Sequence, residues 1–185
     1  MTAAAASAWA TFYEGRSGAD YLAYARIRYA PFIETILTSI QSGDTALELG
    51  AGTGTITKAL LDARAQANLV ASDIDPEMRR MAMRRLGSAV DVIDIDATRA
   101  PTLRADVVHS HGMLEHFDDD TIRKVIRTHG HARTQVHYVP GLYDTPSFGD
   151  ERLMSVADWW RICEPDQILT FNGGLDYALI FGRRA

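Results

Sequence analysis

The residues able to do chemistry cluster in four short segments, each at the end of an apolar run. The first is Ala46-Leu47-Glu48-Leu49-Gly50-Ala51-Gly52-Thr53-Gly54-Thr55. Closely spaced glycines after a strand permit a sharp turn and let a ligand approach the backbone. The nicotinamide fingerprint places its third glycine three residues after the second. Here Gly50, Gly52 and Gly54 alternate, and Glu48 just ahead of them suits a ligand with an ammonium group, not a diphosphate. The second segment carries Asp73, about 20 residues further on, where a carboxylate can accept hydrogen bonds from ribose hydroxyls. Asp75, directly before Pro76, is the better helix N-cap. The third is Asp94-Ile95-Asp96-Ala97, whose acid can accept from an adenine amino group. The fourth runs from Asp106 through His109, Ser110, His111 and Gly112 to Leu114-Glu115-His116-Phe117. It reads as a strand entering a loop at the switch point where open α/β sheets bind ligands.

The chain has 6 histidines, all between His109 and His137. His109 and His111 are two apart on one strand and face the same way. His137 belongs to the neighbouring strand, so His111, His116 and His137 are the expected catalytic group. An imidazole with a pKa near ~6.5 suits removal of a proton from a hydroxyl or ammonium. The alternatives are that these histidines are structural or orient a ligand, or that they bind a metal. His129 and His131 are expected at the surface near a helix end.

These segments require a strand–helix frame. Apolar residues recur at helical spacing from Tyr21 to Ile40, with Pro31 kinking or splitting the helix. Strands are expected at Thr45–Leu49, Asn68–Ser72, Val90–Ile95, Ala105–Ser110 and Gln135–Val139. The helices between and after them are Thr55–Arg64, Pro76–Leu86, Thr121–His129 and Val156–Cys163, the third capped by Asp119 or Asp120. Such alternation predicts an α/β fold, a mostly parallel sheet with helices on both faces. Asn172-Gly173-Gly174 joins two last strands, Gln167–Phe171 and Tyr177–Phe181, as an antiparallel hairpin.

Together the four segments resemble class I S-adenosylmethionine-dependent methyltransferases, closely from Ala46 to Phe117. Leu47–Gly54 is similar to that family's glycine motif, and Asp73–Met78 to its ribose-binding segment. Asp96-Ala97 is similar to its adenine turn, and Leu114–Phe117 to the stretch after its fourth strand. The resemblance implies a single Rossmann-like domain over 1–185, with an N-terminal helical cap (1–43) and a cofactor-binding core (44–185). It also implies a seven-stranded sheet closed by the hairpin, with S-adenosylmethionine as cofactor. Its pocket is expected to be lined by Glu48, Gly50, Ala51, Gly52, Gly54, Asp73, Ile74, Asp96, Ala97, Ser110 and His111. Tyr13, Tyr21 and Arg28 are expected to close it from the N-terminal helices. Some relatives carry E-x-x-E-H as a metal site, but Gly112 occupies the first position here, so no metal is expected. The loop after the fifth strand is the expected acceptor wall, through Tyr138, Tyr143, Phe148 and Arg152. Alternatively its aromatics only pack the loop, and Arg152 pairs with Asp150 or Glu151.

Bulk properties narrow the function. A chain of 185 residues is one ordinary domain, long enough for a sound core. Net charge of -5 disfavours a nucleic-acid partner, which calls for a basic face. The single cysteine, Cys163, fits a reducing compartment. The Ala-rich start, Met1 to Ala10, lacks the basic residues of a signal peptide, and no membrane span is expected, so the protein reads as cytoplasmic. The expected function is methylation of a small-molecule acceptor at O or N, largely by proximity. The alternatives are a catalytically silent cofactor-binding partner subunit and a nicotinamide-dependent oxidoreductase. The oligomeric state is left open, a homodimer included.

Overall fold

The computed structural model describes residues 9–14, 18–100 and 103–182. Most of the Ala-rich start therefore lies outside the described residues. Residues 9–13 are helical. Helices α1 (Ala19–Arg28) and α2 (Ala30–Ser39) follow, separated at Tyr29, with Pro31 in the first turn of α2. The expected 21–40 helix is thus split, because proline suits a helix start and breaks an interior.

A seven-stranded sheet forms the centre, in the order β3-β2-β1-β4-β5-β7-β6. Its strands are β1 (Asp44–Leu49), β2 (Ala67–Ser72), β3 (Asp91–Ile93), β4 (Val107–His111), β5 (Thr134–Pro140), β6 (Gln167–Phe171) and β7 (Asp176–Gly182). The first five pair parallel, and β7 runs antiparallel to both β5 and β6. The hairpin therefore forms as expected, with β7 inserted beside β5 and β6 left at the edge. Between β1 and β4 the strand order reverses, which opens a crevice at the carboxyl ends of the strands.

Helices α3 (Thr55–Asp62), α4 (Pro76–Leu86), α5 (Asp119–Thr128) and α6 (Val156–Cys163) complete the layers. Period-2 alternation along the strands feeds two cores. On one face Ala46, Val136 and Tyr138 pack with Phe32, Ile36 and Leu60 from α2 and α3. On the other, Leu47, Leu49 and Val108 meet Ile122 of α5 and Trp159 of α6.

Two local expectations need correction. The N-cap of α5 is Asp118, whose carboxylate accepts the Thr121 N–H at 2.7 Å. Asp118 is extended (φ -71°, ψ 166°), whereas Asp119 and Asp120 are already helical. The expected 90–95 strand pairs only over Asp91–Ile93, because β3 is an edge strand with one neighbour. No helix among the described residues is long and apolar enough to cross a membrane.

Candidate functional site

The turn after β1 is built on left-handed glycines: φ is +62° at Gly50, +54° at Gly52 and +72° at Gly54. L side chains resist this conformation. The two ends of the turn have different surroundings. A side chain at Gly54 would press on Leu86 of α4 at 2.9 Å, so this glycine lets α3 and α4 approach. A side chain at Gly52 would make only ordinary contact, with the Tyr13 ring at 3.8 Å. Gly52 borders a cleft; Gly54 does not.

That cleft measures about 920 Å³, opens to solvent, and runs across the tips of β1, β2, β3 and β4. Gly50, Gly52, Asp73, Ile74, Asp96 and Ala97 line it together. Asp73 accepts the N–H groups of Gly52 (2.8 Å) and Asp75 (2.9 Å), so the β2 tip is locked to the glycine turn. Burial raises its pKa, against these two backbone donors. Asp96 accepts from the backbone N–H of Thr98 at 2.9 Å and from its hydroxyl at 2.7 Å. Apolar groups from Met78, Ile95, Met113 and Phe117 floor the space between the acids.

A smaller recess adjoins it beside the N-terminus of α3, bordered by Glu48, Ala51, Thr53, Thr55, Tyr13 and Tyr21. Glu48 is 1% exposed and receives both the N–H and the hydroxyl of Thr57. Burial lifts its carboxyl to about 7, the two Thr57 bonds opposing. Arg85, from the last turn of α4, reaches the hydroxyls of both Thr53 and Thr55. Sequence reasoning missed Arg85, since a basic residue late in a helix reads as a partner of the helix dipole.

A third cleft of about 770 Å³ shares Trp9, Tyr13, His111, Gly112 and His116 with the first. Its aromatic wall includes Phe12, Tyr24, Tyr29, Tyr138 and Phe148. His111 borders all three spaces. Its ring stacks on Tyr138 with centroids 4.4 Å apart, and burial lowers its pKa to about 4. Glu115, also missed, lines this cleft at 1% exposure. Tyr29 and Trp9 were missed too, since helical aromatics read as core.

Several expected site residues lie elsewhere. His137 does not join His111. The register pairs His111 with Tyr138 and Ser110 with His137, so the two histidines project from opposite faces of the sheet. Ser110 and His137 are both 0% exposed and bond each other at 2.8 Å. Gln135 donates its amide to the Ile126 carbonyl, which turns its oxygen to His137 Nε2 at 3.2 Å. A neutral ring must then donate from Nε2 and accept the Ser110 hydroxyl at Nδ1. Burial holds this ring neutral by lowering its pKa to about 3. His116 does reach the clefts, with Nδ1 2.9 Å from Asp150.

Arg28 is turned away, paired with buried Asp176 at 2.8 Å, and Tyr143 donates its hydroxyl to the same carboxylate. Arg152 bonds Asp119 and the Phe117 carbonyl, both at 2.6 Å, and not Asp150 or Glu151. It therefore braces the loop against α5 and stays out of the aromatic cleft. His129, expected at the surface, is 0% exposed, with Nε2 3.1 Å from the Ala97 carbonyl. It supports the turn that carries Asp96.

Comparison with known proteins agrees with this architecture. Residues 46–132 match the family model described as a methyltransferase domain. The uncharacterized methyltransferase YrrT of Bacillus subtilis (strain 168) is 32% identical over 92 residues, which are 49% of this chain and 42% of that protein. The chain thus spans less than half the length of this curated relative. The PH0226 protein of Pyrococcus horikoshii OT3 superposes with a TM-score of 0.70 at 15% identity, covering 86% of this chain and 91% of that one. Human N-acetylserotonin methyltransferase, solved with S-adenosylmethionine, gives 0.67 at 14% identity, over 89% of this chain and 55% of that one. The glycine turn and the acids on successive strand tips all lie within the segment that matches a methyltransferase domain, and the reversed hairpin completes a sheet fold shared with these solved structures.

Proposed function

We propose that the protein binds S-adenosylmethionine in the 920 Å³ cleft and methylates a small-molecule acceptor held in the aromatic cleft beside it. The observation that carries this reading is the shared wall: Tyr13, His111, Gly112 and His116 border both spaces, so ligands in the two would meet there. The chain's donor set fits the cofactor. Asp73 would take the ribose hydroxyls, and Asp96 with Thr98 the adenine edge. Glu48 would face the ammonium, and Thr53 and Thr55, backed by Arg85, the carboxylate. When bound, the cofactor supplies an electrophilic methyl whose bond to sulfur breaks as the acceptor bond forms.

The chain's own residues then position and desolvate the acceptor. Alignment can supply much of the rate, because orientation substitutes for a bimolecular encounter. His111 would orient an acceptor group as a neutral ring. With its pKa lowered to about 4 it is a feeble proton acceptor at neutral pH, which argues against it as the principal base. Aromatic walls support an acceptor with an apolar body. A cytoplasmic setting fits the same reading.

Calorimetry with S-adenosylhomocysteine, with reduced nicotinamide dinucleotide as control, tests the assignment. Micromolar binding of the thioether alone is expected. No heat with it at millimolar concentration overturns the proposal.

A further inference from the structure

The aromatic cleft has a distinctive charge balance. Among the described residues, its wall carries Glu115 and Glu151 and no lysine or arginine. The two arginines nearest by sequence are committed, Arg28 to Asp176 and Arg152 to Asp119. Glu115 is held in a short helical turn, Leu114–His116, directly after β4. Its Oε2 is buried and has no hydrogen-bond partner among the described residues. An unmet buried carboxyl oxygen carries a desolvation cost, and a cationic ligand would remove it. The surrounding rings offer a second attraction, because a cation is drawn to aromatic faces.

We infer that the acceptor is an amine carried on an apolar body, bound as an ammonium by Glu115 within the ring of tyrosines and phenylalanines. This rests on the proposed function and names the substrate class for the same site. A carboxylate-bearing acceptor fits the charge of this cleft poorly, and a neutral alcohol leaves the ring faces without a cation.

Glu115 also gives the nitrogen a route to its reactive form. Burial, with Glu151 adding to it, raises the Glu115 carboxyl well above the ordinary range. Burial thus favours the protonated carboxyl of Glu115 when no cation faces it. An arriving ammonium favours the carboxylate, and the carboxyl proton leaves to solvent. The ammonium can then pass one N–H proton to the Glu115 carboxylate, which leaves a lone pair on nitrogen and a neutral carboxyl. The titratable groups sharing the space are Tyr13 from the N-terminal helical segment, Tyr21 and Tyr24 on α1, Tyr29 between α1 and α2, and His111 on β4. His116 beside Glu115, Tyr138 on β5 and Glu151 on the following loop complete the set.

The test is calorimetry with phenethylamine, 2-phenylethanol and 3-phenylpropionate, each with and without S-adenosylhomocysteine. Phenethylamine is expected to bind at least ~10-fold tighter than the other two. In buffers of differing ionisation enthalpy, its binding should release protons, and that of the alcohol none. Glu115→Gln should erase both the preference and the proton release while keeping its affinity for the thioether. Equal affinity for amine and alcohol, or an amine preference that survives Glu115→Gln, overturns the inference. The preference for amine over alcohol in the unaltered protein decides the matter even if the variant fails to fold. Failure of the thioether to bind would instead strike the proposed function, since the amine measurements are made without it as well.

Discussion

One carboxylate oxygen of Asp73 accepts the backbone N–H of Gly52 at 2.8 Å, and the other accepts that of Asp75 at 2.9 Å. The tip of β2 thereby sets the conformation of the turn after β1. A side chain placed to bind a ribose would also be part of the frame that shapes its own cleft.

Asp73→Ala removes both bonds and the partner proposed for the ribose. Affinity for S-adenosylhomocysteine should fall at least ~10-fold, with a stability loss of about 1–3 kcal/mol. Asp73→Asn keeps the size and one acceptor oxygen, so it should recover much of the stability. Calorimetry and thermal unfolding read the two effects separately. Unaltered thioether affinity in Asp73→Ala would remove this carboxylate from the binding site.

Glu48 makes a pH-dependent contribution whose sign follows from its burial. Its carboxyl is raised from 4.5 to about 7 in the folded protein. The folded state therefore holds a proton that the unfolded chain releases. The contribution is complete below pH 4.5 and is lost as pH rises through about 7. Glu48→Gln has no such proton, so its urea midpoint should vary less with pH across this window than that of the parent. Parallel curves for the two proteins would show that Glu48 does not titrate there.

Arg28 was expected at the cofactor, yet it borders none of the three clefts. Its partner Asp176 is 0% exposed and also receives the Tyr138 hydroxyl at 2.8 Å and the amide of Asn172. Arg28→Ala would leave that carboxylate with neutral donors only. Breaking a buried ion pair costs about 3–5 kcal/mol, and the donors that remain should keep the loss at or below that range. Thioether affinity should stay within ~2-fold of the parent. A large affinity loss with unaltered unfolding would return Arg28 to the binding site.

The sequence made the frame legible because its signals are local. Glycine spacing, strand-tip acids and the Asn172-Gly173-Gly174 turn depend on neighbours a few residues away. Helices α4 and α6 have the bounds read from periodicity and proline position. The histidines failed for the opposite reason. Whether His137 meets His111 depends on which residue of β5 faces which residue of β4, and one step of register reverses the face. Arg85 and Glu115 escaped notice because their value lies in what they face. Arg85 crosses from α4 to Thr55, a partner 30 positions away in the chain. Arg152 likewise found Asp119, 33 positions away, in place of the adjacent acids.

The placement of β7 bears on how the chain acquires this shape. It is the final strand of the sheet in sequence, yet it lies between β5 and β6 and pairs with β5 over Thr134–Pro140. Until Asp176–Gly182 has left the ribosome, β5 presents a bare flank and β6 has nothing to hold it. Sheet closure must therefore await the emergence of β7, and the Asp176 latch on Arg28 and Tyr138 arrives with the same strand.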